Sequence, residues 1–132
     1  MSYMPPIKSD VHITPDRVWD MIKEEWGYEK EQFFDPCPVN PQWNGLDIDW
    51  RDLNYVNPPY SRERGDKKTL LTQFVEKALD EKGTTIMLLP SKTDQEWFHK
   101  IKEFDIMWIR GRLKFVGNEW SATQPHFLVK IN

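Results

Sequence analysis

Leu53-Asn54-Tyr55-Val56-Asn57-Pro58-Pro59-Tyr60 is the stretch on which the fold turns. Residues 53–57 form a short, largely apolar run that suits a strand. Pro58 and Pro59 end it at once, because proline has no N–H to give to a sheet ladder. Beyond Tyr60 the pattern becomes helical in period. Leu70, Leu71, Phe74, Val75, Ala78 and Leu79 recur at three- and four-residue spacing, which predicts a helix over 67–82 with Gly83 as its cap. Thr84-Thr85-Ile86-Met87-Leu88-Leu89 is then a continuous apolar run of strand length, closed by Pro90. Strands alternating with helices predict an α/β sheet.

Upstream, Thr14-Pro15-Asp16 has an N-cap residue, a proline in the first turn and an early acid, all favourable at a helix start. Val18, Trp19, Ile22 and Trp26 continue the helix to a stop at Gly27. Gln32-Phe33-Phe34-Asp35 reads as a short buried strand ending on an acid, before the proline-rich run Pro36-Cys37-Pro38-Val39-Asn40-Pro41. Downstream, Thr93-Asp94-Gln95-Glu96 is a capping-box pattern opening a helix through Trp97, Phe98 and Ile101. Residues 105–110, 113–116 and 127–131 are expected as further strands, with antiparallel pairing among the last of them. Residues 1–13, with Pro5-Pro6, are expected as an irregular arm, and 14–132 as one domain.

The 132 residues suit a single compact domain. Hydrophobic residues at 39% and charged residues at 30% provide for a core and argue against wholesale disorder. A formal net charge of −3 excludes nucleic-acid binding by bulk attraction alone, so local basic clusters would have to do that work. Cys37 is the single cysteine, which excludes an internal disulfide and fits a reducing cytoplasm. No long apolar run or leader pattern is present, so neither a membrane span nor a secretory signal is expected. His12, His99 and His126 lack metal-ligand spacing, and no metal site is expected.

In open α/β sheets, ligands sit beyond the carboxyl ends of strands, where Asp35 and Asn57 both fall. Asn-Pro-Pro-Tyr suits one kind of chemistry. The exocyclic amine of adenine is a poor nucleophile because its lone pair is delocalised into the ring. The Asn57 side-chain oxygen and the Pro58 carbonyl can accept its two N–H bonds, orienting the amine toward an electrophilic methyl and favouring the positive charge that develops on nitrogen. Pro59 helps to stiffen the loop, and Tyr60 can stack on a base extruded from the duplex. A bland alternative is that the prolines only terminate a strand or present a polyproline ligand. Their position directly behind an apolar strand, and not in a polar tail, favours catalysis.

With these residues in place, the chain resembles the phage-type DNA N6-adenine methyltransferases of bacteriophages and prophages. The likeness runs from Ile13 onward. It includes Thr14-Pro15, Phe34-Asp35-Pro36-Cys37, Asn57-Pro58-Pro59-Tyr60-Ser61, Leu88-Leu89-Pro90, Trp97-Phe98 and Arg110-Gly111-Arg112-Leu113-Lys114-Phe115. The resemblance implies a compact, truncated Rossmann-like fold with a mixed sheet flanked by helices. It also implies S-adenosylmethionine as donor, adenine in DNA as acceptor, and a location in the cytoplasm of a host cell. Three features depart from the usual methyltransferase pattern, one being a segment between Asp35 and Asn57 too short for the usual additional strand–helix units. The glycine-rich turn after the first strand is replaced by Asp35-Pro36-Cys37-Pro38, and no insertion is large enough for a separate target-recognition domain.

The donor-binding residues implied are Thr14, Asp35, Pro36 and Cys37, with Asp35 anchoring the donor's amino group directly or through water. Asp47 or Asp49 could hold the ribose hydroxyls, as an acid does in other nucleotide folds, with Trp50 near the donor's adenine. Alternation makes residues 45–50 equally readable as a half-exposed strand. Ser61, Arg62, Arg64, Lys67, Lys68 and Lys92, with Arg110, Arg112 and Lys114, are candidate DNA contacts that would offset the net negative charge. Individually, such residues are most often solvated surface. Two rival functions share these features: methyl transfer to an amine or amide of RNA or protein, and a non-catalytic binding module on a degenerate fold.

Overall fold

A computed structural model describes residues 13–38, 42–61, 65–117 and 121–132. The described residues form a four-stranded mixed sheet in the order β1-β2-β4-β3, made of β1 (Leu53–Val56), β2 (Thr84–Pro90), β3 (Asp105–Trp108) and β4 (His126–Ile131). β1 and β2 are parallel, with Tyr55 opposite Ile86 and Val56 opposite Met87. β4 runs antiparallel to both β2 and β3. The carboxyl ends of β1, β2 and β3 therefore share one edge of the sheet, and β4 begins there.

Helix α1 (Asp16–Trp26) covers one face, and α2 (Leu70–Asp80) and α3 (Glu96–Ile101) cover the other. Strand alternation sorts the side chains between the two layers. Val56, Met87, Leu89, Phe127, Val129 and Ile131 meet Leu70, Leu71, Phe74 and Val75 of α2 and Trp97, Phe98 and Ile101 of α3. Tyr55, Ile86, Leu88 and Leu128 meet Val18 and Ile22 of α1, together with Ile109, Leu113 and Phe115. A sheet buried on both faces explains why β2 is apolar throughout and does not alternate.

The predicted α/β sheet, with strands and helices alternating and the final pair antiparallel, is present. Gly27 ends α1 as expected: it is left-handed at φ 78°, and its N–H reaches the Lys23 carbonyl at 2.9 Å. Several local expectations need correcting. Residues 32–35 supply no strand. A short 3₁₀ turn (Lys30–Gln32) comes first, closed by a capping box between Glu29 and Gln32, and only Phe34 then makes a parallel bridge to Asn54. The proline-rich run behind Phe34 leaves no N–H groups at Pro36 and Pro38 to extend the ladder. Residues 113–116 are likewise irregular apart from one bridge between Val116 and Ile13. β3 stops at Trp108, short of Arg110.

α2 begins at Leu70 and not at Lys67, because Thr69 caps it by accepting from the Thr72 N–H at 3.2 Å. It ends at Asp80, with Glu81 and not Gly83 at its C-cap. α3 begins after Gln95 with no side-chain cap, so the expected box from Thr93 to Glu96 does not form. Pro90 ends β2 as expected, and is itself the last residue of the strand, paired with His126. Among the described residues, no helix is long and apolar enough to cross a membrane.

Candidate active site

The single bridge at Phe34 matters more than its length suggests. The Phe34 N–H donates to the Leu53 carbonyl and the Phe34 carbonyl accepts from Tyr55 N–H, both at 2.9 Å. This lays Phe34 parallel to β1 on its open side and places Asp35 beside the carboxyl end of that strand. Asp35 Oδ1 then accepts the Cys37 N–H at 2.8 Å, closing a tight turn around Pro36. Burial pushes the Asp35 carboxyl up to about 6, against the opposing pull of the Cys37 N–H. Among the described residues no basic side chain forms a salt bridge with it. Burial, and secondarily the Asp35 charge, pushes the Cys37 thiol up to about 12, so this cysteine is a small apolar wall and not a nucleophile.

The loop over residues 42–50 packs onto this turn and is not a strand. Trp43 Nε1 donates to the Pro36 carbonyl at 2.9 Å, and the Trp43 and Phe34 rings lie at 6.0 Å and 22°. Gly45 comes so close that a Cβ there would run into the Pro36 carbonyl oxygen. Asp47 and Asp49 are exposed on this loop. Trp50 is buried in the α2 layer at 6.2 Å from Phe74, with its indole N–H given to the Gly45 carbonyl at 2.8 Å. Asp35, Pro36 and Cys37 are thus gathered with the loop carrying Asp47 and Asp49, while the Trp50 ring belongs to the core.

Asn57 emerges half-buried from β1, and Pro58 and Pro59 are buried behind it. Asn57 Nδ2 donates to Thr14 Oγ1 at 3.3 Å, and the same oxygen lies 2.6 Å from the Tyr55 hydroxyl. Thr14 does not cap α1 as its sequence position predicts. Pro15 holds the cap position instead, without a side-chain bond, and the Thr14 hydroxyl is spent on Tyr55 of β1 and on Asn57 just after it. Tyr60 is held by its phenol, 2.8 Å from His126 Nε2. His126 Nδ1 lies 3.1 Å from the Gln124 carbonyl, which can only accept. His126 in its neutral form therefore carries its proton on Nδ1, and the Tyr60 O–H donates to Nε2. The Ser61 carbonyl accepts the Leu70 N–H at 2.8 Å, tying the loop to the start of α2.

The basic candidates divide. Arg62 and Arg64 lie outside the described residues. Lys67 is exposed, whereas Lys68 is paired with Glu76 at 2.7 Å. Lys92 follows β2, and Arg110, Arg112 and Lys114 follow β3, so all four leave the sheet edge from which Asn57 emerges. Arg17 carries no signal in the sequence. Its guanidinium donates to the Arg110 and Arg112 carbonyls at 3.3 Å each, fixing that segment to α1. Tyr55 and His126 also escape sequence reasoning. A tyrosine inside an apolar strand must find a partner for its hydroxyl, and that is the available signal for Tyr55. His126 has no comparable signal, since its partner is 66 residues away.

Among the described residues no group of His, Cys, Asp or Glu could hold a metal ion. No curated protein and no solved structure matches the chain. A family model described as DNA N-6-adenine-methyltransferase (Dam) matches residues 2–126, nearly the whole sequence. With Asn-Pro-Pro-Tyr at the carboxyl end of a parallel strand and a model match of that extent, the chain belongs to the DNA N-6-adenine-methyltransferase (Dam) family.

Proposed function

We propose that the protein transfers the methyl group of S-adenosylmethionine to the N6 amine of adenine in DNA, at Asn57-Pro58-Pro59-Tyr60. The observation that carries this is the placement of the tetrapeptide at the sheet edge, with the Asn57 amide nitrogen already engaged by Thr14. With one amide N–H of Asn57 given to Thr14, the amide oxygen, which is buried in this structure, would be the acceptor for an amine that enters the site. The Pro58 carbonyl is the natural second acceptor, and Tyr60 the stacking face for an extruded base. Membership of the family supports DNA adenine as the acceptor.

The residues present suit a cationic donor. Asp35 is a half-buried carboxylate with no salt-bridge partner among the described residues, and its carboxyl is pushed up to about 6 by burial. A group in that state gains by meeting an ammonium or sulfonium charge. Asp35 would hold the amino group, the Pro36-Cys37 turn would wall the methionyl end, and Asp47 or Asp49 would take the ribose hydroxyls. Trp50, with its ring in the core, would support the loop from beneath. When bound, the donor supplies an electrophilic methyl on sulfur. Asn57 and Pro58 orient the amine and stabilise positive charge on its nitrogen, and the surplus proton leaves to solvent after transfer.

The turn at Asp35-Pro36-Cys37-Pro38 stands where methyltransferases more widely carry a glycine-rich turn. A Rossmann-like fold is supported by the parallel β1–α2–β2 unit and by helices on both faces. DNA would lie along the edge bearing Ser61, Lys67, Lys92, Arg110 and Arg112, with Arg62 and Arg64 as further candidates from the sequence. Methyl transfer from labelled donor into DNA, and not into RNA or protein, is the test.

A further inference from the structure

Arg17 is an exposed residue in the first turn of α1, yet its guanidinium is held at two points. Nη1 donates to the Arg110 carbonyl and Nη2 to the Arg112 carbonyl, each at 3.3 Å. Asp16 and Asp20, its nearest acids along α1, form no salt bridge with it. Among the described residues, neither Arg110 nor Arg112 has a salt-bridge partner either. The segment that Arg17 holds is also fixed from within. Ile109, Leu113 and Phe115 are buried against α1 and the sheet, while Arg110, Arg112 and Lys114 are exposed. Further along, the Val116 N–H donates to the Ile13 carbonyl at 3.0 Å. Residues 110–116 are thus stitched to the start of α1 at both ends, with the basic side chains on the outside of the seam. The Arg17 guanidinium lies against the backbone from which the other two arginine side chains spring. Like charges gathered without a counter-ion favour the arrival of an anion.

The seam borders the catalytic mouth. Arg17 is three residues from Thr14, a Cα separation of at most about 11 Å, and Thr14 Oγ1 lies 3.3 Å from Asn57 Nδ2. A nucleotide turned out of the duplex to bring its base to Asn57 carries a phosphate on either side of it into this neighbourhood. A guanidinium fork matches phosphate oxygens, and Arg17 has further N–H groups beyond the two it gives to carbonyls. We propose that Arg17, Arg110 and Arg112 form one phosphate-binding site for the strand that carries the target adenine, gripping the backbone beside the extruded nucleotide. The assignment rests on the proposed methyl transfer at Asn57. It adds Arg17 to the site, and it gives the two loop arginines a defined strand to hold in place of general attraction. A local grip of this kind is what a chain of net charge −3 needs in order to hold DNA.

The test compares the wild type with Arg17→Ala and Arg17→Lys on a short duplex holding one adenine that the wild type methylates. Affinity is read over a range of salt concentrations. It is read on the natural duplex and on duplexes in which the phosphates flanking that adenine, or those opposite it, are replaced by neutral methylphosphonates. Arg17→Ala should weaken binding about tenfold at low salt and flatten the slope of log affinity against log salt by about one unit. Arg17→Lys keeps the charge and should keep the slope. Because Arg17 is exposed, Tm should stay within about 3 °C, and donor Kd should not move. At saturating DNA, kcat should change less than about threefold, since a backbone grip acts on ground and transition states alike. Methylphosphonates beside the adenine should weaken the wild type about tenfold and Arg17→Ala about threefold or less. Those on the opposite strand should cost both proteins little. Arg17→Ala with the wild-type slope would overturn the assignment, as would target-strand methylphosphonates that cost both proteins equally. So would a wild type indifferent to them, a result that needs no variant to fold. In each of these cases DNA adenine is still methylated and the proposed function stands. If the wild type methylates no adenine in DNA, the proposed function fails and takes the phosphate site with it.

Discussion

Replacing Asp35 by Asn should make the free protein more stable at neutral pH and a poorer binder of its donor. Burial raises the Asp35 carboxyl from 3.8 to about 6. A raised folded-state value means that the fold prefers the protonated form. The associated stability is fully present below about pH 3.8 and is lost as pH rises through about 6. Above that, the ionised carboxylate weighs against folding by up to about 3 kcal/mol, taking about 1.4 kcal/mol per pH unit. Partial exposure makes this an upper bound, and about 1–2 kcal/mol is the expected gain for Asp35→Asn at pH 8. Asn keeps an oxygen for the Cys37 N–H, so the turn should survive the change.

That gain corresponds to a rise in Tm of about 3–10 °C at pH 8, shrinking toward zero at pH 4. Titration calorimetry with S-adenosylmethionine should show the opposite: affinity down about 10- to 100-fold, the scale of a charge-assisted hydrogen bond. Wild-type donor affinity should also weaken as pH falls through about 6 and Asp35 takes up a proton. An Asp35→Asn protein less stable than wild type at pH 8 would mean that a cation already faces this carboxylate. Unchanged donor affinity would remove Asp35 from the donor site.

Other outcomes test the surrounding parts. Tyr60→Phe should retain most activity, since stacking needs only the ring, but should cost about 1–3 kcal/mol of stability by removing the phenol's bond to His126 Nε2. Tyr60→Ala should in addition weaken adenine binding by about 1–3 kcal/mol, measured on a duplex with a target-site mismatch; equal damage from Phe and Ala would refute the stacking role. Replacing Arg110 and Arg112 together by Ala should flatten the slope of log DNA affinity against log salt by roughly two units. Lys68→Ala should change it little, because Glu76 already neutralises that lysine. An unchanged slope in the arginine variant would place DNA elsewhere on the molecule.

Much of the fold is legible in the residues because its signals are local. The helical period of α2 and the apolar run of β2 are each written in consecutive side chains, and both elements stand where the sequence puts them, to within a few residues. The strand expected over 32–35 does not form because four apolar and polar residues cannot distinguish a strand from one bridge, and the bridge depends on β1, some 20 residues later. Residues 113–116 mislead for a related reason: Leu113 and Phe115 alternate with Lys114 as in a strand, but they are buried by packing against α1 and the sheet, without a ladder of their own. At the site, the tetrapeptide and Asp35 can be seen because each stands at the end of an apolar segment. The partners they meet cannot. Thr14 reaches Asn57 across 43 positions and His126 reaches Tyr60 across 66, and only the assembled sheet edge brings them together. Thr14 also carries a misleading local signal, since Thr-Pro-Asp is a good helix start whether or not the hydroxyl caps it.

In the proposed reaction Asn57 offers its amide oxygen to the N6 amine of adenine. Purified wild type and Asn57→Ala should be incubated with unmethylated duplex DNA and methyl-labelled S-adenosylmethionine, the digested nucleosides resolved, and donor binding measured on the same samples. N6-methyladenine should be the labelled product of the wild type, with the rate reduced by about two to three orders of magnitude in Asn57→Ala and donor affinity nearly unchanged. Label in another nucleoside, or near-normal turnover by Asn57→Ala, would contradict the proposed reaction.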